Sequence, residues 1–380
     1  MKNPKFDDIR PYYEEEIHDA MQRIADSEYF PLLASYVYPE KEVEEVREMI
    51  RKIDSVAGFQ SEAMLTVNKQ VIAQSITEFS YAGEEQLEHD KNYLFVSNHR
   101  DIMLDSSLMQ YVLHTNGHDT TEITFGANLM MHPLVVDIGK SNKMFKVERG
   151  GNIREFYRHS LHLSEYIRYV IKEKKQSVWI AQRNGRTKNG VDRTDQGIIK
   201  MFCMSEANDK IKALSELNII PVVVSYEWES CDILKTIELF KSQQAKYIKK
   251  PDEDLNSILT GIMQPKGKVH VEFTEQIKQE DLMPFDEMAS NDYYRSVANL
   301  LDQRICSKYK LTPNNYIAHD ILHEQEIYNK YYTGEEKETF IKHMSNLEQY
   351  TDCDLNELRR IFLGIYANPI DSKLNLPKLI

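Results

Sequence analysis

The sequence predicts an α/β protein, with a mostly parallel central sheet flanked by helices and with helical additions at the N- and C-terminal ends. Three observations carry this. Between about residues 90 and 275, short β-branched or aromatic runs alternate with helical stretches, the pattern of a layered α/β architecture. On either side, residues 1 to about 80 and about 290 to the end place apolar residues at three- and four-residue spacing with acids between them, as amphipathic helices do. The 380 residues exceed the usual size of a single core, so one large domain with helical additions and two domains fit equally well. The expected division is a helical region at 1–84, an α/β domain at 85–285 and a second helical region at 286–380.

The elements follow in order. The N-terminal helices are "PYYEEEIHDAMQRIAD" and "EKEVEEVREMIRKI". The first strand is "YLFVSN", followed by the helix "SSLMQYVLH" and the strands "EITFGA" and "MFKVER". A long helix, "IREFYRHSLHLSEYIRYVIKEK", precedes the strands "SVWIAQ", "IIPVVVSY" and "KVHVEF". The clearest C-terminal helices are "SNDYYRSVANLLDQRICSKY" and "DCDLNELRRIFLGIYA". No internal repeat or low-complexity linker interrupts them.

Composition excludes several classes. At 41% hydrophobic and 28% charged, the chain reads as an ordinary globular protein. No window approaches the ~18 consecutive apolar residues of a spanning helix, and "MKNPKFDDIRPYYEEE" is too acidic and polar for a signal peptide, so a cytoplasmic location is expected. Cys203, Cys231, Cys306 and Cys353 lie far apart without a C-x-x-C pair, which argues against a zinc ribbon or a disulfide framework. A net charge of −13 argues against nucleic-acid binding, yet residues 140–200 hold 15 Lys plus Arg against 6 Asp plus Glu. A basic middle in an acidic protein suggests a site for a phosphate-like anion or a face toward anionic lipid; a solvated helix face around "EYIRYVIKEKKQ" accounts for part of it.

The stretch "FVSNHRDIMLDSSLM" carries the candidate chemistry. A strand ending at Ser97-Asn98-His99 presents the imidazole at its carboxyl end, where open α/β sheets bind ligands. A nearby carboxylate, Asp101 or Asp105, would fix the tautomer and stabilise the imidazolium. That is a general-base pair, and a structural histidine capped by local acids is the competing reading. No G-x-S-x-G elbow occurs, so the proton would come from a bound hydroxyl rather than an enzyme serine. Elsewhere, His319 and His323 in "HDILHEQ" have the i, i+4 spacing that suits a metal, but the sequence offers no third ligand, and a surface or packing role is expected. His114 and His118 flank a glycine turn, and "ERGGN" lacks the Lys-Ser/Thr of a phosphate-binding loop. No metal or cofactor is expected.

Four stretches in order resemble the conserved blocks of the glycerolipid acyltransferases, the glycerol-3-phosphate and 1-acylglycerol-3-phosphate O-acyltransferases. "NHRDIMLD" resembles the first, N-H-x4-D; "GKSNKMFKVERGG", with Gly139, Phe145 and Arg149, resembles the second. "NGRTKNG" at 184–190, followed by "DQGIIKM", is similar to the third, and "IIPVVVSYE" around Pro221 to the fourth. "FGANLMMHP" at 125–133 also resembles the segment between blocks one and two in the glycerol-3-phosphate branch. The resemblance covers about 85–230.

The resemblance implies that His99, supported by Asp105 with Asp101 as competitor, deprotonates an acceptor hydroxyl. That hydroxyl then attacks an acyl thioester carried by acyl carrier protein (acyl-ACP) or coenzyme A (acyl-CoA). It also implies that Arg149 and Arg186, with Lys146, Lys188 and Asn184, hold a phosphorylated glycerol or lysolipid acceptor, and that Gly185 and Gly190 let the backbone approach it or turn sharply. Two departures stand out. The family's aspartate lies five residues after the histidine, where this chain has Leu104, so Asp105 needs a one-residue bulge; and Asn184 stands where the family carries glutamate. They keep open a catalytically impaired member that binds lipid or acyl carrier, or an O-acyltransferase for a polar lipid without phosphate. Lipid would be reached by peripheral contact at the inner membrane face, through an N-terminal or a C-terminal helix.

Overall fold

The computed structural model of the chain describes residues 2–130, 132–148, 150–249 and 253–376. Its centre is a seven-stranded sheet: β1 (Ile76–Ala82), β2 (Leu94–Ser97), β3 (Glu122–Gly126), β4 (Met144–Val147), β5 (Val178–Ala181), β6 (Ile219–Tyr226) and β7 (Gly267–Phe273). The spatial order is β1-β7-β6-β2-β5-β3-β4. β6, β2, β5, β3 and β4 are mutually parallel, β7 runs antiparallel to β6, and β1 pairs parallel with β7. The expected fold class holds, and the six strands expected from sequence are all present.

Alternation along the strands explains the layers. Leu94 and Val96 face one core with Val178, Ile180, Tyr166, Ile167, Phe202 and Leu301. Phe95 faces the other, with Trp179, Val222, Val224, Leu108 and Val112. Helix 153–172 therefore covers one face of the sheet and helix 104–115 the opposite one. Helix 290–308 joins the first core through Tyr293, Val297 and Leu301, so the C-terminal region is continuous with the α/β body.

One expectation is corrected. The sequence places residues 76–82 in the N-terminal helical region, but they form β1 at the sheet's edge. An edge strand with one half-exposed face shows only weak alternation in "ITEFSYA", and its partner β7, which buries Val269, Val271 and Phe273, supplies the pairing. The helix beginning at Leu355 also runs to Leu374, through Pro369, beyond the expected end at 367. Proline there removes the N–H that would bond Ile365 O. That carbonyl packs against Gly190, where an added Cβ would lie 2.1 Å from it. Pro221 is accommodated in β6 in a similar way: it lies beyond the β6–β7 ladder, and its carbonyl accepts the Thr274 N–H at 2.9 Å.

Candidate active site

The parallel strands end on one edge, and the loops leaving β2 and β5 meet there. Gln182 N donates to Ser97 O at 2.7 Å, and Thr187 N donates to His99 O at 2.6 Å. These bonds lock the "NHRD" loop to the "NGRTKNG" loop. Asn98 reaches sideways: its amide donates to Val224 O and Asp192 Oδ2, each at 3.0 Å, and its oxygen accepts from Val224 N at 2.8 Å. The first, third and fourth sequence blocks thus converge around one residue.

His99 is buried, and its Nδ1 stands 3.1 Å from Asp105 Oδ2. Asp105 opens helix 104–115 and is committed on both oxygens. Oδ2 also accepts the N–H groups of Arg100 (2.6 Å) and Asp101 (2.9 Å), while Oδ1 accepts the Tyr226 hydroxyl at 2.8 Å. Because Oδ2 serves as acceptor for both backbone N–H groups, the same role toward the imidazole places the ring hydrogen on Nδ1 and leaves Nε2 with its lone pair. The Trp179 ring meets the imidazole edge-on, 6.0 Å between centroids. Burial, then Asp105, pushes the Tyr226 hydroxyl well above its ordinary range, so it stays a donor.

Asp101 does other work. Its Oδ1 accepts the N–H groups of Met103 and Leu104, each at 2.8 Å, at the start of the helix that carries Asp105. Its Oδ2 accepts the Ser230 hydroxyl, and none of its hydrogen bonds goes to His99. Gly261 packs so close to that oxygen that a Cβ there would approach within 2.3 Å.

Behind the loop lies a buried ion network that sequence reading missed. Arg100 Nε and Nη2 donate to Asp192 Oδ2 at 3.1 and 2.7 Å, Nη1 to Glu229 at 3.2 Å and Nη2 to Gly190 O at 3.1 Å. Lys235 donates to Arg100 O and Glu229. Burial alone would lower the Arg100 guanidinium, but Asp192, Tyr309 and Glu229 outweigh it and hold it well above its ordinary value. Removing one partner from such a network costs about 3–5 kcal/mol, because a buried charge is left alone. The only sequence signal was its place inside the first block.

The remaining candidates divide. Arg186 is 7% exposed, and its Nη1 is buried without a hydrogen-bond partner among the described residues. Gly185, with φ +75°, turns the chain just before it and has open space beside it, and Asn184 is exposed. Lys188 pairs with Glu238, and Lys146 with Glu148 at 2.7 Å. Arg149 and Met131 lie outside the described residues. Much of the basic excess of 140–200 is met by acids from elsewhere in the chain: Lys174 by Glu122, and Arg168 and Lys172 by Glu216.

Residues 78–225 match the family model described as Acyltransferase. The chain carries an acyltransferase domain. It is the family that the four sequence blocks resemble, and all but the last two residues of those blocks lie within the match. The solved 1-acyl-sn-glycerophosphate (LPA) acyltransferase of Thermotoga maritima is similar at 13% identity, over 74% of this chain and 91% of that one, with a TM-score of 0.36. No curated protein matches. The matched segment runs from β1 into β6 and contains His99, Asp105 and Arg186, while β7 and the C-terminal helices lie outside it.

Proposed function

We propose that this acyltransferase moves a fatty acyl group from an acyl thioester, acyl-ACP or acyl-CoA, to the hydroxyl of a glycerol-3-phosphate or lysophospholipid-type acceptor. One observation carries the reading: an Asp105-oriented His99 with a free Nε2 lies on a loop bonded to the loop of Arg186, which has a buried, unpartnered guanidinium nitrogen. His99 Nε2 takes the acceptor proton as the acceptor oxygen attacks the thioester carbonyl. The tetrahedral intermediate expels the thiolate, which takes that proton from the imidazolium. Asp105 holds the ring and stabilises its charged form. Arg186 binds the acceptor's phosphate through its planar fork, and Arg149 shares that role on the resemblance alone. Lys146 and Lys188 would join only by exchanging their carboxylate partners.

Lipid is reached at a surface. Among the described residues no helix is long and apolar enough to cross a membrane. Ile153, Phe156 and Tyr157 are 89%, 60% and 60% exposed at i, i+3 and i+4 on helix 153–172, flanked by Arg154 and Arg158. We assign peripheral membrane contact to this apolar and basic face, which follows the second sequence block. The experiment is thioester consumption by the purified chain with and without glycerol-3-phosphate or its monoacyl form. Acceptor-dependent loss supports an enzyme; tight lipid binding without loss would mean a binding protein.

A further inference from the structure

The sequence pairs His319 and His323 but offers no third ligand, and the fold supplies one. Asp371, 48 residues beyond His323, comes across from helix 355–374, which packs along helix 313–322. We propose that His319, His323 and Asp371 form a divalent-metal site that ties these two helices together, independently of acyl transfer.

The geometry comes first. The two imidazoles sit one turn apart at the end of helix 313–322, with ring centroids 4.4 Å apart. His319 Nε2 stands 3.8 Å from Asp371 Oδ1, too far for a hydrogen bond, and one ligand atom from each of the three residues lies within 4.8 Å of the others. Ligands around one small divalent ion stand about 3.3 Å apart at metal–ligand bonds of about 2.0–2.1 Å, so modest side-chain rotation closes the set. His319 is 7% exposed, and its Nδ1 is buried without a hydrogen-bond partner. Neither ring nitrogen of this buried histidine is thus held by a hydrogen bond among the described residues.

The donor set selects the ion. Two imidazoles and one carboxylate suit zinc or a similar borderline ion; calcium and magnesium prefer oxygen ligands. His323 is exposed and Asp371 half-buried, so the ion enters from solvent and keeps a position for water. The position suggests a brace. One turn before Asp371 on the same helix, the Asn368 amide donates to Asn189 O at 2.7 Å, and Ile365 O abuts Gly190. An ion at Asp371 would steady the helix that backs the Arg186 loop.

The test uses the untagged full chain, stripped of metal and titrated calorimetrically with zinc. One equivalent should bind and raise Tm, and cobalt(II) in its place should give the visible bands of a four- or five-coordinate site. His323→Ala and Asp371→Asn alter side chains outside the core, and circular dichroism checks that both fold. Each should weaken zinc binding by at least about 10–100-fold, the loss typical even of outer-sphere partners, and abolish the Tm shift. Absence of zinc binding in the parent, or unchanged affinity in either folded variant, overturns the site.

Discussion

Asp105 Oδ2 faces three donors at once, His99 Nδ1 and the backbone N–H groups of Arg100 and Asp101, while Asp101 spends its own oxygens on the start of helix 104–115 and on Ser230. Spacing alone left both acids as partners for His99; only the turn of the loop separates them, and no local sequence rule encodes it. The expected ranking follows. Asp105→Asn should lower kcat by about 10²–10⁴-fold with little change in acceptor KM, because a neutral amide cannot stabilise the imidazolium as the carboxylate does. Asp101→Ala should mainly cost stability, about 0.5–2 kcal/mol, as when a side-chain acceptor for the N–H groups at a helix start is removed. Steady-state kinetics with a urea melt distinguishes the two, and the opposite ranking would move the pair to Asp101. Arg186→Ala should raise KM for a phosphorylated acceptor by about one to two decades, the equivalent of a 1.5–3 kcal/mol charged hydrogen bond. Arg186→Lys should recover only part of this. Equal losses with phosphorylated and unphosphorylated acceptors would remove Arg186 from phosphate binding.

At the level of elements, the sequence was legible wherever one periodicity dominated. The helix "IREFYRHSLHLSEYIRYVIKEK" starts at Ile153 as expected, because Asn152 caps it and Glu155 closes the capping box. β1 was hidden because an edge strand needs few apolar residues, and the carbonyl that Pro369 leaves without its helical partner packs against a glycine 179 residues earlier than that proline. Asp371 could not be joined to His319 from sequence for the same reason: packing between distant helices sets the contact. The membrane face we propose is an exposed apolar cluster in the middle of the chain, on helix 153–172, rather than on a terminal helix. Replacing Ile153, Phe156 and Tyr157 together with serine should release the protein from vesicles containing anionic lipid while leaving turnover of a soluble acceptor intact. Co-sedimentation reads the first effect. Unchanged vesicle binding would place the contact elsewhere.

Across the whole molecule, the sheet, the C-terminal helices and the site loops share one body, so charges buried between them report on global stability. Asp302, on helix 290–308, accepts both the N–H (2.7 Å) and the hydroxyl (2.6 Å) of Thr194, in the segment that follows the third block. Burial raises its carboxyl from 3.8 to about 6 despite those donors. Between these values the folded state holds a proton that the unfolded chain has lost. Its stabilising contribution is therefore complete below about pH 4 and disappears as pH rises through 6. Asp302→Asn keeps an acceptor for Thr194 and cannot titrate. Relative to the parent, it should gain up to about 3 kcal/mol between pH 4 and pH 7, from denaturant midpoints at the two values. A pH-independent difference would contradict that assignment. Whether His99 is the base of acyl transfer is read most directly from single-turnover thioester consumption by His99→Ala with saturating acceptor. The prediction is a rate lower by about 10²–10⁴-fold in a protein whose melting and acceptor binding match the parent. Parental rates in that folded variant would contradict it.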